Sequence, residues 1–269
     1  MKNKIKGKVA VITGASSGIG YSIAKLLDRQ GVICYDISRT IKEHDEIKKS
    51  YACDVNDTEN VDKILDEIFN KEGQINIFVN NAGFGIAGAI EYTNRDNIYA
   101  LISTNLSAVI ALSSKVIKYL KLSGGGNIIN ISSVGGVIPL PLQATYSATK
   151  AGVDIFSRAL ASEVKDYNIK VTSIMPGDTS TGFTGSRIVD NDIEDKTLKE
   201  KIEKSIKKVE KEERTGKSPD IVAKAVLKVL KRKNPPLRKT VGFMYKLIVF
   251  LSRILPCKLI NFLVRKIYC

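Results

Sequence analysis

Tyr146 and Lys150 stand four residues apart in a stretch, 144–167, with a helical pattern, so the two side chains share one face a single turn apart. A phenol titrates at about 10 and is a poor acid–base catalyst at neutral pH. A neighbouring ammonium favours the phenolate and draws that value down toward the working range, which makes the pair a candidate proton donor. Many surface helices carry a Tyr–Lys pair with no chemical role. The company it keeps decides.

A second chemistry lies near the N-terminus. The apolar run 9–12 leads into Thr13-Gly14-Ala15-Ser16-Ser17-Gly18-Ile19-Gly20 and then into a helical pattern over 19–30. Glycine lets the backbone turn tightly and approach a pyrophosphate, while the opening of a helix offers free N–H groups to the anion. The spacing is Gly-x3-Gly-x-Gly rather than the common Gly-x-Gly-x-x-Gly. Position after the first strand and at the head of the first helix is what favours nucleotide binding over a merely tight turn.

The elements that must position these groups alternate along the chain. Apolar, β-branched runs occur at 9–12, 32–35, 75–79, 127–131 and 170–174, and helical patterns at 19–30, 60–71, 94–122 and 144–167. Continuous apolar strands separated by helices imply an α/β fold, a doubly wound parallel sheet with helices on both faces. In such sheets ligands sit beyond the carboxyl ends of the strands. A helix at 221–232 and a last strand at 237–242 complete one domain, 1–242, followed by a basic, apolar extension, 243–269.

Six motifs in order then resemble one family. They are the glycine turn at 13–20, Asn80-Asn81-Ala82-Gly83, Asn105, Ile131-Ser132-Ser133, Tyr146-Ser147-Ala148-Thr149-Lys150, and Pro176-Gly177. Together they resemble the short-chain dehydrogenase/reductase family over about residues 7–182. The resemblance implies a single Rossmann-like domain and nicotinamide-dependent oxidoreduction of a carbonyl or alcohol. It implies that Tyr146 donates the proton, that Lys150 lowers its pKa and holds the nicotinamide ribose, that Ser133 binds the substrate oxygen, and that Asn105 supports a water-linked proton path.

The same resemblance assigns cofactor contacts to Gly14, Ser16, Ser17, Gly18, Ile19 and Gly20, to Asp54 and Val55, to Asn81, Ala82 and Gly83, and to Pro176, Gly177, Thr179 and Thr181. Asn81 has a structural role as an equal alternative, and Asp54 reads nearly as well as a helix N-cap. The choice between cofactors rests on residues 31–40. Asp36 has the loose spacing of a ribose-binding carboxylate, which would mean NAD(H). Register argues for NADP(H): the selecting position in the family falls at Ser38, Asp36 lies about 7 Å back along the strand, and Arg39 at the tip suits a 2′-phosphate.

Composition bounds the rest. The chain has 269 residues, 43% hydrophobic and 26% charged, enough apolar material for a full core. Four cysteines without Cys-x-x-Cys spacing and one histidine speak against a structural zinc and suit reduced, cytoplasmic thiols. The first residues hold no apolar core of the kind a secretory signal requires. Residues 1–195 carry 21 Lys/Arg against 22 Asp/Glu, whereas residues 196–269 carry 21 against 6. That end suits an anionic partner.

Residues 183–217 fall where the family carries its substrate lid. Leu198, Ile202, Ile206 and Val209 form a stripe that either faces the cleft, favouring an apolar or lipid-like substrate, or packs on the body. In 243–269 Lys246 and Arg253 are seven residues apart, as are Lys258 and Arg265, opposite apolar residues and on either side of Pro256. This pattern suits peripheral contact with the inner surface of a membrane, the alternative being an appendage that closes over the cleft or onto a partner subunit. Nucleic acid is not expected. The reading is an NADPH-dependent carbonyl reductase or alcohol dehydrogenase working on a small-molecule substrate as a homodimer or homotetramer. A cofactor sensor without turnover is the second reading, and acyl-carrier-protein ketone reduction a rival that the long tail disfavours.

Overall fold

A computed structural model describes residues 5–189 and 195–268. Its strands, in chain order, are β1 (Val9–Thr13), β2 (Ile33–Ser38), β3 (Lys49–Ala52), β4 (Ile77–Asn80), β5 (Ile86–Ala87), β6 (Gly126–Ile131), β7 (Ile169–Met175), β8 (Ile188–Val189) and β9 (Arg238–Thr240). Strands β5 and β8 pair with each other, and the other seven form one sheet in the order β3-β2-β1-β4-β6-β7-β9. Every pairing in it is parallel. The chain winds outward from β1 to β3, crosses back to β4 and winds outward the other way. The strand order therefore reverses between β1 and β4, where a crevice opens at the carboxyl ends.

The strands are apolar throughout because both faces of the sheet are covered. Val9 and Val11 of β1 join one core with Phe78 and Ile128, while Ala10 and Ile12 join the other with Ile77, Val79 and Ile129. On the first side α2 (Thr58–Glu72), α4 (Ala108–Leu122) and α5 (Ala144–Glu163) contribute Leu65, Ile68, Leu112, Val116 and Leu160. On the second, α1 (Gly18–Asp28) and α7 (Asp220–Leu230) contribute Ile23, Leu27, Val222, Val226 and Val229. The result is a three-layer α/β/α domain, as the alternation of runs requires. Helix α2 begins where the Asp57 carboxylate accepts from Asn60 N–H at 3.1 Å, so Asp57, not Asp54, is its cap.

The predicted helix at 94–122 is interrupted. α3 (Arg95–Ile102) joins α4 through one wide π-helical turn, Ser103–Ser107. Arg95–Leu122 is also apolar and long enough to cross a membrane by composition, yet it buries Leu101, Leu112, Val116 and Leu120 in the domain and is a core helix. Strand β3 is absent from the sequence expectation because its edge position buries only Tyr51 well.

Beyond β9 the chain folds back as α8 (Phe243–Leu251) and α9 (Cys257–Tyr268). Val249, Val264, Tyr245 and Ile260 pack on Val134, Val137 and Ile138, the turn that follows Ser133. Lid helix α6 (Lys196–Arg214) lies against α9. The extension is therefore seated on the rim of the crevice, with its opposite face open.

Candidate active site

The crevice at the ends of β1 and β4 is a cleft of about 470 Å³. Its inner end is the glycine turn. Gly14 takes φ +72°, and a side chain there would stand 3.1 Å from Ala82 and from the Asn81 amide. Gly18 takes φ +58° at the first position of α1, so the helix opens with its N–H groups toward the cleft. Gly14, Ser16, Ser17, Gly18 and Ile19 all line the cleft. Gly20 does not. A side chain there would overlap the Gly14 carbonyl oxygen and stand 2.6 Å from Asn81 Nδ2, so Gly20 serves close packing of the turn.

Asn81 braces that turn from β4. Its Nδ2 donates to the carbonyls of Thr13 and Gly14, both at 3.0 Å, while Thr13 Oγ1 accepts from the N–H groups of Asn81 and Ala82. Asn81, Ala82 and Gly83 line the cleft as well, as do Asp54 and Val55. The Asp54 carboxylate accepts from the Asn56 N–H and side-chain amide.

Within β2, two residues before its end, Asp36 is fully buried and does not line the cleft. Its Oδ1 accepts from Ala15 N–H and from Ser38 Oγ, both at 2.7 Å. Burial pushes its carboxyl above the usual range, and these two bonds oppose the shift. Asp36 thus holds the glycine turn. Ser38, Arg39 and Thr40 form the cleft wall beyond it.

At the other end the strands deliver the reacting groups. Ser133 stands two residues beyond β6, and its Oγ accepts from Gly135 N–H at 3.0 Å, which fixes the hydroxyl near the strand end. Tyr146 and Lys150 line the cleft from the first turns of α5. Lys150 Nζ donates to the Ile131 carbonyl at 3.0 Å and lies 5.8 Å from the Tyr146 ring centre. Asn105 sits one layer behind. Fully buried in the π-helical turn, it accepts from Phe84 N–H at 3.1 Å and donates to the Phe84 carbonyl at 2.9 Å. It tethers the loop after Gly83 to the helix.

The electrostatics depart from the sequence expectation. Tyr146 is pushed up to about 12 by burial, with a hydrogen bond to Ser133 pulling the other way. Lys150 is pushed down to about 8, also by burial. Burial is the leading cause of both shifts, disfavouring the phenolate and the ammonium alike. A neutral phenol at pH 7 is the form that can give a proton away.

Pro176, Gly177, Thr179 and Thr181 line the cleft opposite Tyr146. Thr179 Oγ1 donates to the Gly177 carbonyl at 2.9 Å. The space beyond is walled by Leu140, Phe183, Val209, Glu212 and Ile248, with the Phe183 ring 5.8 Å from that of Tyr146. The lid stripe divides. Ile202 and Ile206 pack on Ala87, Ala89, Tyr92 and Leu142 of the body, and Val209 reaches the cleft; the Leu198 side chain lies outside the described residues. Arg187 is buried and pairs with Glu213 of α6, fastening the lid to β8. Sequence reasoning missed Tyr245 and Ile248, which enter the wall from α8.

The sequence profile of short chain dehydrogenases matches residues 8–192. The chain is a short-chain dehydrogenase. Members of this family bind a nicotinamide cofactor and act as oxidoreductases, and the glycine turn, its free helix end and the strand-end hydroxyls are the parts that fit one here. Among relatives, a 3-ketodihydrosphingosine reductase of Bacteroides thetaiotaomicron is 36% identical over 268 residues, covering 97% of this chain and 98% of its own. A 3-oxoacyl-[acyl-carrier-protein] reductase of Thermotoga maritima is 32% identical over 67% of this chain and 78% of its own. A short-chain dehydrogenase structure from Streptomyces avermitilis superposes with a TM-score of 0.79 at 27% identity, covering 92% of each chain. The 3-ketoacyl-(acyl-carrier-protein) reductase of Brucella melitensis, complexed with NADH, does so with 0.73 at 25% identity, covering 88% of this dehydrogenase and 98% of its own chain.

Proposed function

We propose that this dehydrogenase is an NADPH-dependent reductase of a long-chain ketone, of the kind named for its Bacteroides relative. The observation that carries the reading is the convergence of Ser133, Tyr146 and Lys150 on one cleft that is also lined by Leu140, Phe183, Val209 and Ile248. Held by the glycine turn at Gly14 and Gly18 and by the Lys150 side of the cleft, NADPH would supply a hydride to the carbonyl carbon. Ser133 holds the carbonyl oxygen, and Tyr146 gives that oxygen its proton. Lys150, with its ammonium titrating near neutrality, stabilises the phenolate left behind. Asn105 keeps the loop at Gly83 and Phe84 in register with this wall.

Arg39 at the cleft wall, with Asp36 occupied elsewhere, favours the 2′-phosphate of NADPH. Leu140, Phe183, Val209 and Ile248 suit an alkyl chain, and the Glu212 carboxylate on the same wall suits an ammonium beside the ketone. Peripheral contact of 243–269 with a membrane would present such a lipid. The test is turnover of 3-ketodihydrosphingosine, a 3-oxoacyl thioester and a short ketone, with each coenzyme. The long-chain amino ketone with NADPH should be favoured, and Tyr146→Phe should lower kcat by about 10²–10⁴ while NADPH still binds. Wild-type protein that binds NADPH yet reduces none of these would overturn the reading in favour of a sensor.

A further inference from the structure

Tyr245 links the C-terminal extension to the reacting end of the cleft. Its ring lies flat enough on Gly177 that any side chain there would collide with it. Its hydroxyl donates to the Asp178 carboxylate and accepts from the Asp178 N–H at 3.1 Å. One aromatic side chain from α8 thus grips both residues that follow Pro176, the turn facing Tyr146 across the cleft. Ile248, one turn on, lines the same space, and Val249 and Val264 rest on the turn after Ser133.

The helices that carry this grip are apolar on their other side. Phe243 (80% exposed), Met244, Leu247, Phe250, Leu251 and Ile254 follow one face of α8 and the turn beyond. Leu259, Phe262, Leu263 and Ile267 continue the surface along α9. Lys246, Arg253, Lys258, Arg265 and Lys266 rim it, exposed Lys204, Lys207 and Lys211 stand on the adjoining α6, and no acidic residue follows Asp220. A broad apolar face whose own segment, 243–268, carries exposed cations and no acidic residue matches an anionic bilayer surface better than a protein partner or a nucleic acid.

We infer that Tyr245 is a positioning residue for the reduction, and that it transmits the seating of α8–α9 on an anionic bilayer to the Pro176–Asp178 turn. This rests on the reading of the cleft as a ketone-reducing site. The helices cannot shift against the lipid without moving the tyrosine that fixes the turn, so the bound and free states of the protein differ at the catalytic end.

Vesicles of phosphatidylglycerol and phosphatidylcholine, and a water-soluble short ketone, test it in the full chain. Wild-type protein should co-sediment with the anionic vesicles, and they should change its kcat or its KM for NADPH at least twofold. Tyr245→Phe keeps the ring and loses the hydroxyl pair; it should still sediment, lose the response to vesicles, and raise KM for NADPH by roughly tenfold, the scale of one charge-assisted hydrogen bond. Asp178→Asn, which weakens the same contact from the other side, should behave alike. Leu247→Glu with Phe250→Glu should abolish sedimentation and the vesicle response while leaving constants in solution unchanged. Failure of wild type to bind the vesicles, or a Tyr245→Phe protein that responds to them as wild type does, overturns the inference. If wild type reduces no ketone, the reduction reading fails instead, and fluorescence titration of NADPH with and without vesicles, wild type against Tyr245→Phe, still decides this one.

Discussion

Replacing Arg39 by Ala asks the sharpest question of the cleft, because its effect must differ between two coenzymes. Arg39 lines the wall beside Ser38 and Thr40 and is exposed, while Asp36, three residues back along the chain, is buried and spends Oδ1 on Ala15 N–H and Ser38 Oγ. A guanidinium about 4 Å from a phosphate gains between about 1 and 4 kcal/mol as the effective dielectric falls from that of water to that near a protein surface. Exposure places Arg39 toward the lower part of that range, about 1.5–2 kcal/mol, or roughly 10–30-fold. The expected result is a drop of that size in kcat/KM for NADPH with kcat/KM for NADH unchanged. Steady-state rates with both coenzymes on one ketone give the ratio, and a partly misfolded preparation cancels out of it. Asp36→Asn is the companion, since it loosens the turn that both coenzymes would meet and should lower both rates together. Equal losses with the two coenzymes on Arg39→Ala, or no loss with either, would refute the assignment of Arg39 to the 2′-phosphate.

Reduction should be fastest below about pH 8 and fall as Lys150, depressed to about 8 by burial, loses its proton; alcohol oxidation, which needs the Tyr146 phenolate, should instead rise toward alkaline pH. Opposite slopes in the pH–rate profiles of the two directions check the sign. Gly20→Ala should cost about 1–3 kcal/mol of stability and weaken coenzyme binding, because its methyl meets the Gly14 carbonyl and the Asn81 amide; denaturant melts and fluorescence titration measure both. Glu213→Ala leaves the Arg187 guanidinium buried without its carboxylate, a loss of about 3–5 kcal/mol that thermal unfolding would show as a fall in Tm of about 6–20 °C.

Much of this was legible from residue order. The runs that became β1, β2, β4, β6 and β7 are apolar on both faces, and no surface strand needs to be. Tyr146, Lys150 and Ser133 announce themselves by spacing, and the structure brings all three to one wall. Strand β3 was invisible because Lys49, Ser50 and Ala52 at a sheet edge carry no apolar pattern. The phenol's direction of shift was misjudged, since a sequence shows the neighbouring charge and hides the desolvation. Asp36 has the loose spacing of a ribose ligand; its place two residues before Ser38 argued against that role from the sequence, while its bracing bonds to Ala15 N–H and Ser38 Oγ show only in the structure. Tyr245 lay in a segment read either as membrane-facing or as an appendage over the cleft, with no residue singled out to reach in; the clue was that it and Val249 share the helix face opposite Leu247 and Phe250.

The π-helical turn at Ser103–Ser107 makes chain length there as constrained as chemistry. The wide turn lets Asn105 exchange two hydrogen bonds with the Phe84 backbone from within one long helix whose Leu101, Leu112 and Val116 are buried. Deleting a residue of the turn would restore the regular α period and remove the widened backbone that carries Asn105 to Phe84, while the helix downstream keeps its face on the sheet. Substitutions at its outward positions should be absorbed; a gap of one should not.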